Sequence, residues 1–372
     1  MTKQLRAFLI IFPTFFVLIG CKRTATTSQT AYILDENDME VISFDNADHK
    51  FHEALIKSSV LLRTEINRKT TRLCSGVLVN YRGKTQVLTN HHCFAVKGNN
   101  DLATEQLVPS ACKNTTVIYD AVAGRLKNIS TSKCVVGTLR TDFIGDIASF
   151  SLDKSVPEGY EPLTIKEGEV SANTPAIIIH YPTKGARHEQ VPRAAEPKYL
   201  VGEKLPVATI TSNNCMILGR YTHGVARQLP VLAVSYRHTC DLVHGSSGSP
   251  LIDPTDGTLV GINWGAVKLN TKTGDSYVNA ATTSGYVVGF LNGRGGTSGV
   301  SDALASLSQK EQKEREKKEA AGSVPQCGSL GVSLADKISH YSYLFIFLLS
   351  LLPFLANTFS ALSHRYFYAT KR

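Results

Sequence analysis

Between about residues 55 and 285 the chain runs as a succession of short apolar segments rich in β-branched residues. SVLLRTE, SGVLVN, TQVLT, IASFSL, PAIIIHYP, VATITS, PVLAVSY, TLVGINW and GYVVGFL are separated by glycine, proline, asparagine and aspartate. Such side chains suit a pleated, half-buried surface, and turn residues at these intervals suit a sandwich or a barrel. No helical periodicity of useful length interrupts the pattern, and no internal repeat is visible. The expected fold class is therefore all-β. At 372 residues the chain is long enough for one large domain or two moderate ones, each able to bury a core.

The two ends differ from this middle. MTKQLR followed by AFLIIFPTFFVLIG has the basic and then apolar regions of a secretory signal, and Leu18-Ile19-Gly20-Cys21 resembles the lipobox of bacterial lipoproteins. Cys21 is accordingly expected to become the lipidated first residue of a mature chain in the bacterial cell envelope, facing the periplasm or the exterior. From Tyr341 to Leu362 an uncharged segment of about 22 residues is long enough for one bilayer crossing. Arg365, Lys371 and Arg372 follow it. The formal charge of +9 would by itself suggest an acidic partner. Part of it, however, sits at Lys3, Arg6, Lys22, Arg23 and the basic tail, beside apolar segments. A membrane, and not nucleic acid, is the expected partner.

Export makes the cysteines informative, because disulfides persist outside the cytosol. With Cys21 set aside, nearest-neighbour pairing joins Cys74 to Cys93, Cys112 to Cys134 and Cys215 to Cys240, and leaves Cys327 over. Sequence alone does not decide the connectivity. A zinc site is the rival use of these residues, but no CxxC spacing occurs.

The stretch HGSSGSPLID, residues 244–253, places small residues before a proline and then resumes an apolar run. A nucleophile elbow G-x-S-x-G fails here, since Ser249 stands at its last position and Pro250 opens a strand-like segment where a helix is required. GSSGSP instead resembles the GDSGGP signature of chymotrypsin-like serine proteases, in the GxSGSP form of bacterial glutamyl endopeptidases and their trypsin-like relatives. VLTNHHC, residues 87–93, resembles their TAAHC, with Cys74 as the partner of Cys93 beside the histidine. GDIASFSL, residues 145–152, resembles NDIALLKL, and LVGINWG, residues 259–265, resembles LVGIVSWG. The resemblance spans about residues 50–295. The order His, Asp, Ser is that of the chymotrypsin fold.

This resemblance implies two six-stranded antiparallel β-barrels and a catalytic triad of His92, Asp146 and Ser247. An imidazole must take the serine proton, and a carboxylate must hold the imidazole in the right tautomer. The backbone amides of Gly245 and Ser247 would form the oxyanion hole. His91 and Ser246 are the less expected base and nucleophile. Asp241, six residues before Ser247, falls at the base of the specificity pocket, with Asn263, Trp264 and Gly265 along its wall. Trp264 is the single tryptophan of the chain. Asp241, with Asn263 where glutamyl endopeptidases have a histidine, implies cleavage after Arg or Lys. Neither a cofactor nor a metal is needed. Ser246 stands where pancreatic-type enzymes have the aspartate that receives a freed N-terminal amine, which argues against that activation switch.

The expected organisation is thus a signal peptide (1–20), a spacer or pro-segment (21–54), a first barrel (55–165) and a second (166–295). A charged linker (296–340), a hydrophobic transmembrane helix (341–362) and a basic tail (363–372) would follow. The expected function is a membrane-tethered serine endopeptidase acting on peptides or proteins. The alternatives are an inactive protease-like lipoprotein that binds a peptide or partner, and a structural lipoprotein.

Overall fold

A computed structural model of the chain describes residues 25–28, 38–43, 52–96, 106–123, 125–126, 129–183, 205–227, 229–271 and 274–320. Cys21, Cys327, the expected signal and the expected span lie outside these residues. The chain divides into two compact units, Met1–Gln309 and Lys310–Arg372. Among the described residues no helix is long and apolar enough to cross a membrane.

The strands in chain order are β1 (Ala25–Ser28), β2 (Glu40–Val41), β3 (Ser59–Asn67), β4 (Thr70–Tyr81), β5 (Lys84–Thr89), β6 (Ala95–Val96) and β7 (Gln106–Leu107). Next come β8 (Thr115–Ile118), β9 (Thr131–Lys133), β10 (Arg140–Asp142), β11 (Ile147–Phe150), β12 (Thr174–Pro175) and β13 (Ile177–His180). The last are β14 (Thr209–Thr211), β15 (Met216–Arg220), β16 (Ser235–His238), β17 (Pro250–Ile252), β18 (Leu259–Thr271) and β19 (Gly274–Thr283).

One antiparallel sheet has seven strands in the order β10-β11-β5-β4-β3-β8-β9. The other has ten: β12-β15-β16-β19-β18-β17-β13-β14-β2, with β1 added on β18. The chain is mostly β, as expected, but the two sheets are not closed six-stranded barrels. Among the described residues, one isolated bridge, Cys134 to Leu152, joins the end of β9 to the stretch just after β11. The outer strands of the seven-stranded sheet, β9 and β10, are three residues long, and edges that short offer few bonds with which to close.

Burial explains why the strands read as continuous apolar runs. In β3 and β4 neighbouring residues face different cores: Val60, Leu62 and Leu78 pack inside the first sheet with Phe94, Tyr119 and Phe150. Leu61, Val77 and Val79 face a second core shared with Ile177, Ile179 and Ile252 of the other sheet. Ile178, between two residues of that shared core, turns into a third core with Ile217, Tyr236 and Val260. A strand with both faces covered loses the apolar-polar alternation of a half-exposed one. Only the ends show it, as in β3, where Arg63, Glu65 and Asn67 are exposed and Thr64 and Ile66 buried.

Disulfides join Cys74 to Cys93, Cys112 to Cys134 and Cys215 to Cys240. Each closes a loop of 19 to 25 residues, a constraint on the unfolded chain worth about 3 kcal/mol apiece. After the last strand come two helices, α1 (Ser284–Leu291) and α2 (Gly296–Ala320). Thr283 caps α1 by accepting from the Tyr286 amide. Tyr286, Val287, Phe290 and Leu291 then form a helical face that enters the shared core.

Candidate active site

His92 lies in a single 3-10 turn, His91–Cys93, which follows β5 directly. Its neighbour Cys93 is tied to Cys74 on β4, and the Arg72 guanidinium donates to the His92 carbonyl. The turn is held from both sides. Asp146 ends the tight connection between β10 and β11 in a left-handed conformation, φ +47°. Its Oδ2 accepts from His92 Nδ1 at 2.7 Å, and its Oδ1 accepts from the His92 amide at 3.0 Å. The Asn90 side chain closes the ring by donating to the Asp146 carbonyl at 2.8 Å. With its Nδ1 proton committed to the carboxylate, the imidazole keeps the Nε2 lone pair as a base.

The GSSGSP segment packs against the strands that carry this pair. The Ser75 amide donates to the Ser247 carbonyl at 2.8 Å, and Ser75 is the neighbour of Cys74. Two glycines are demanded by close approach. A Cβ at Gly245, φ +95°, would lie 2.4 Å from the Tyr181 carbonyl oxygen. One at Gly248, φ +84°, would lie 2.1 Å from Thr89 Oγ1 and 2.3 Å from the Ser75 oxygen. Only glycine tolerates both the conformation and the contact. Ser247 between them is half-buried. Among the described residues, no backbone carbonyl takes the N–H of Gly245 or of Ser247, whereas those of Ser246, Gly248 and Ser249 are bonded to Val243, Asn263 and Ser246. Two neighbouring donors left over in a buried loop are a ready cradle for an oxyanion.

A Trypsin-like peptidase domain model matches residues 74–262, about half of the chain. The chain belongs to the trypsin-like peptidase family. Solved structures similar to this trypsin-like chain include the active form of a protease from M. tuberculosis, 18% identical with a TM-score of 0.40, matched over 70% of this chain and 92% of that one. A Glu endopeptidase in complex with MPD is 15% identical with a TM-score of 0.45, over 70% of this chain and 98% of that one. A serine endoprotease from Yersinia pestis is 17% identical with a TM-score of 0.40, over 68% of each chain. No curated protein matches the chain by sequence.

The remaining expected site residues are distributed as follows in this trypsin-like fold. Asp241 is buried directly after disulfide-bonded Cys240, and its Oδ2 accepts from the Asp38 amide at 3.2 Å. Sequence reading missed Asp38, which sits in the expected spacer. Burial first, and then the charge of Asp241, push its carboxyl up to about 7. Asn263 is fully buried, and its amide donates to the Ser249 carbonyl at 3.0 Å and hydroxyl at 3.1 Å, so it braces the loop from below. Trp264 is buried and donates from Nε1 to Ser235 Oγ at 2.9 Å. Gly265 pairs with Ala280 just after a bulge in β18. Immediately beyond it, β1 pairs with Ala266–Leu269.

Cys74, His92 and Cys93 offer ligand atoms within 4.8 Å of one another, a spacing suited to a metal. Both sulfurs are consumed in the disulfide, so the thiolates a metal would require are not there.

Proposed function

We propose that this trypsin-like chain is a serine endopeptidase that works through an acyl-enzyme, cleaves after Arg or Lys, and is tethered to the bacterial cell envelope. The observation that carries the catalytic part is the two-point grip of Asp146 on His92, through the ring at 2.7 Å and the amide at 3.0 Å. A carboxylate so placed fixes the tautomer and stabilises the imidazolium. His92 Nε2 takes the Ser247 hydroxyl proton as Oγ attacks the scissile carbonyl. The oxyanion that forms is met by the N–H groups of Gly245 and Ser247. His92 then gives its proton to the leaving amine, and water repeats the sequence on the acyl-enzyme.

Specificity for a basic side chain rests on Asp241, whose position before Ser247 matches the pocket-base acid of trypsin-like enzymes. A desolvated charge-assisted hydrogen bond is worth roughly 1.5–3 kcal/mol, a tenfold to hundredfold preference. Asp38 adds a second carboxyl beside it. Tethering rests on the LIGC end of the signal and on the apolar segment from Tyr341 to Leu362. Cleavage profiling on a peptide library tests the reading: wild-type chain should cut after Arg and Lys, and Ser247→Ala should cut nothing. Predominant cutting after Glu or large apolar residues would overturn the specificity, and an intact library would overturn the activity.

A further inference from the structure

Between residues 244 and 247 every peptide has an internal anchor. The His244 carbonyl accepts from the Thr183 amide at 2.7 Å. The Ser246 carbonyl accepts from the Ser249 amide at 2.9 Å. A trans peptide is planar, with its N–H opposed to its C=O. Fixing the His244 carbonyl therefore aims the Gly245 N–H the other way, and fixing the Ser246 carbonyl does the same for the Ser247 N–H. The Gly245 carbonyl accepts from Ser75 Oγ at 2.8 Å, which itself accepts from the Tyr181 amide at 3.0 Å.

Inside this loop the Ser246 side chain has buried polar partners. Its hydroxyl accepts from the Val243 amide at 3.1 Å and lies 2.5 Å from Nδ1 of His180. His180 ends β13 and is wholly buried, and its Nε2 has no hydrogen-bond partner among the described residues. Burial keeps the ring neutral, with its pKa lowered to about 3. Tyr181 and Thr183, the next residues along the same segment, supply two of the other anchors.

We infer that His180, through Ser246, is a positioning residue that holds the oxyanion loop in working shape within the uncleaved chain, in place of an ion pair made by a freed N-terminal amine. The inference rests on the peptidase reading above. Among the described residues, the loop's partners Thr183, Ser75, Ser249, Val243 and His180 all come from the interior of the sequence. A serine cannot pair with an ammonium as an aspartate does, but it does complete a neutral hydrogen bond with an imidazole that burial keeps uncharged.

The test compares wild type, His180→Leu, Ser246→Ala, the double variant and His180→Asn, each as the full chain with its fold checked by thermal melting. Active sites are titrated with a fluorophosphonate, and kcat and KM are measured on a short peptide. His180→Leu should lower kcat by about 10–100-fold, in line with partial loss of oxyanion donors, with KM changed less than about threefold. Ser246→Ala should do at least the same, since it also releases the Val243 amide, and the double variant should be no worse than Ser246→Ala alone, because the bond between His180 and Ser246 is lost only once. His180→Asn, which keeps a polar atom near the Nδ1 position, should recover much of the rate. Blocking the N-terminal amine of wild type should leave its titre unchanged. Single variants within about twofold of wild type, multiplicative losses in the double variant, or a titre that falls on blocking the amine would overturn the inference and leave the peptidase reading standing. Should His180→Leu fail to fold, the Ser246→Ala and His180→Asn results decide in the same way. A wild-type chain that takes up no fluorophosphonate overturns both.

Discussion

The Tyr286 hydroxyl on α1 donates to Oδ2 of Asp142 at 2.6 Å, joining the last part of the β unit to the turn that carries Asp146. The same oxygen accepts from the Gly296 amide at 2.7 Å, and Oδ1 accepts from the Ile144 amide at 2.9 Å. Thr282 adds a bond from its hydroxyl to the Gly145 carbonyl at 2.7 Å. The turn that carries Asp146 is thus held from outside by Tyr286, Gly296 and Thr282 as well as by its own bonds.

Tyr286→Phe is the first consequence to measure. Removing a hydrogen bond to a buried carboxylate costs roughly 1.5–3 kcal/mol. Denaturant unfolding should show a loss in that range. Peptide hydrolysis should show kcat falling more than KM rises, because Asp146 is displaced relative to His92. An unchanged unfolding midpoint and kcat would show that the turn holds its own shape.

Reduction should act on the site as well as on the fold. Cys74 and Cys93 flank Ser75 and His92, so replacing both by serine frees a 19-residue loop at a cost of about 3 kcal/mol and loosens the histidine turn. Calorimetry and kcat should both report the loss. A variant with wild-type kcat would separate the disulfide from catalysis.

Stability should fall in mild acid. Burial lowers both His180 and His238 to about 3, well below the 6.5 of an unfolded histidine. Their stabilising contribution is complete above pH 6.5 and is lost as pH falls, because the unfolded chain takes up protons that the native one refuses. Each costs about 1.4 kcal/mol per pH unit in that window. Asp38 works with the opposite sign: its raised carboxyl favours the folded chain at low pH and loses that contribution as pH rises through about 7. Unfolding curves at pH 7.5 and 5 should therefore show lower stability at 5, and a steeper drop in Asp38→Asn. A flat profile in both proteins would contradict the burial of the histidines.

Under the proposed specificity, Asp38 beside Asp241 gives cleavage a pH dependence. As pH rises through about 7 Asp38 gains its charge beside Asp241, and a basic side chain in the proposed pocket would then meet a second carboxylate. The ratio of cleavage after Arg to cleavage after an apolar residue should grow between pH 6 and 8. In Asp38→Asn it should stay level, and in Asp241→Ser it should drop by tenfold to a hundredfold. A ratio that ignores both substitutions would remove Asp241 from the pocket.

What was legible in the sequence is what is local. HHC, GDIAS and GSSGSP each put a candidate catalytic side chain within a few residues of the turn or cysteine that fixes it, and the three nearest-neighbour cysteine pairs are the ones formed. What was not legible depends on residues far apart in the chain. Asp38 and Asp241 are 203 residues apart, Asp142 and Tyr286 are 144 apart, and His180 and Ser246 are 66 apart. No single-chain pattern marks such a pair. Ser246 reads in the sequence as the less expected nucleophile and as a residue unable to make the activation ion pair, and its bond to His180 is hidden for the same reason. Strand number escaped because β2, β6, β7 and β12 are two residues long, too short to carry a period.

The central claim is that Ser247, activated by His92 and Asp146, is a nucleophile. Incubating the full chain with a fluorophosphonate and mapping the adduct by mass spectrometry tests it most directly. One phosphonyl group should appear on Ser247, and labelling should be abolished in Ser247→Ala and strongly slowed in His92→Ala and Asp146→Asn. An unlabelled wild-type chain, or an adduct that persists in Ser247→Ala, would contradict the account.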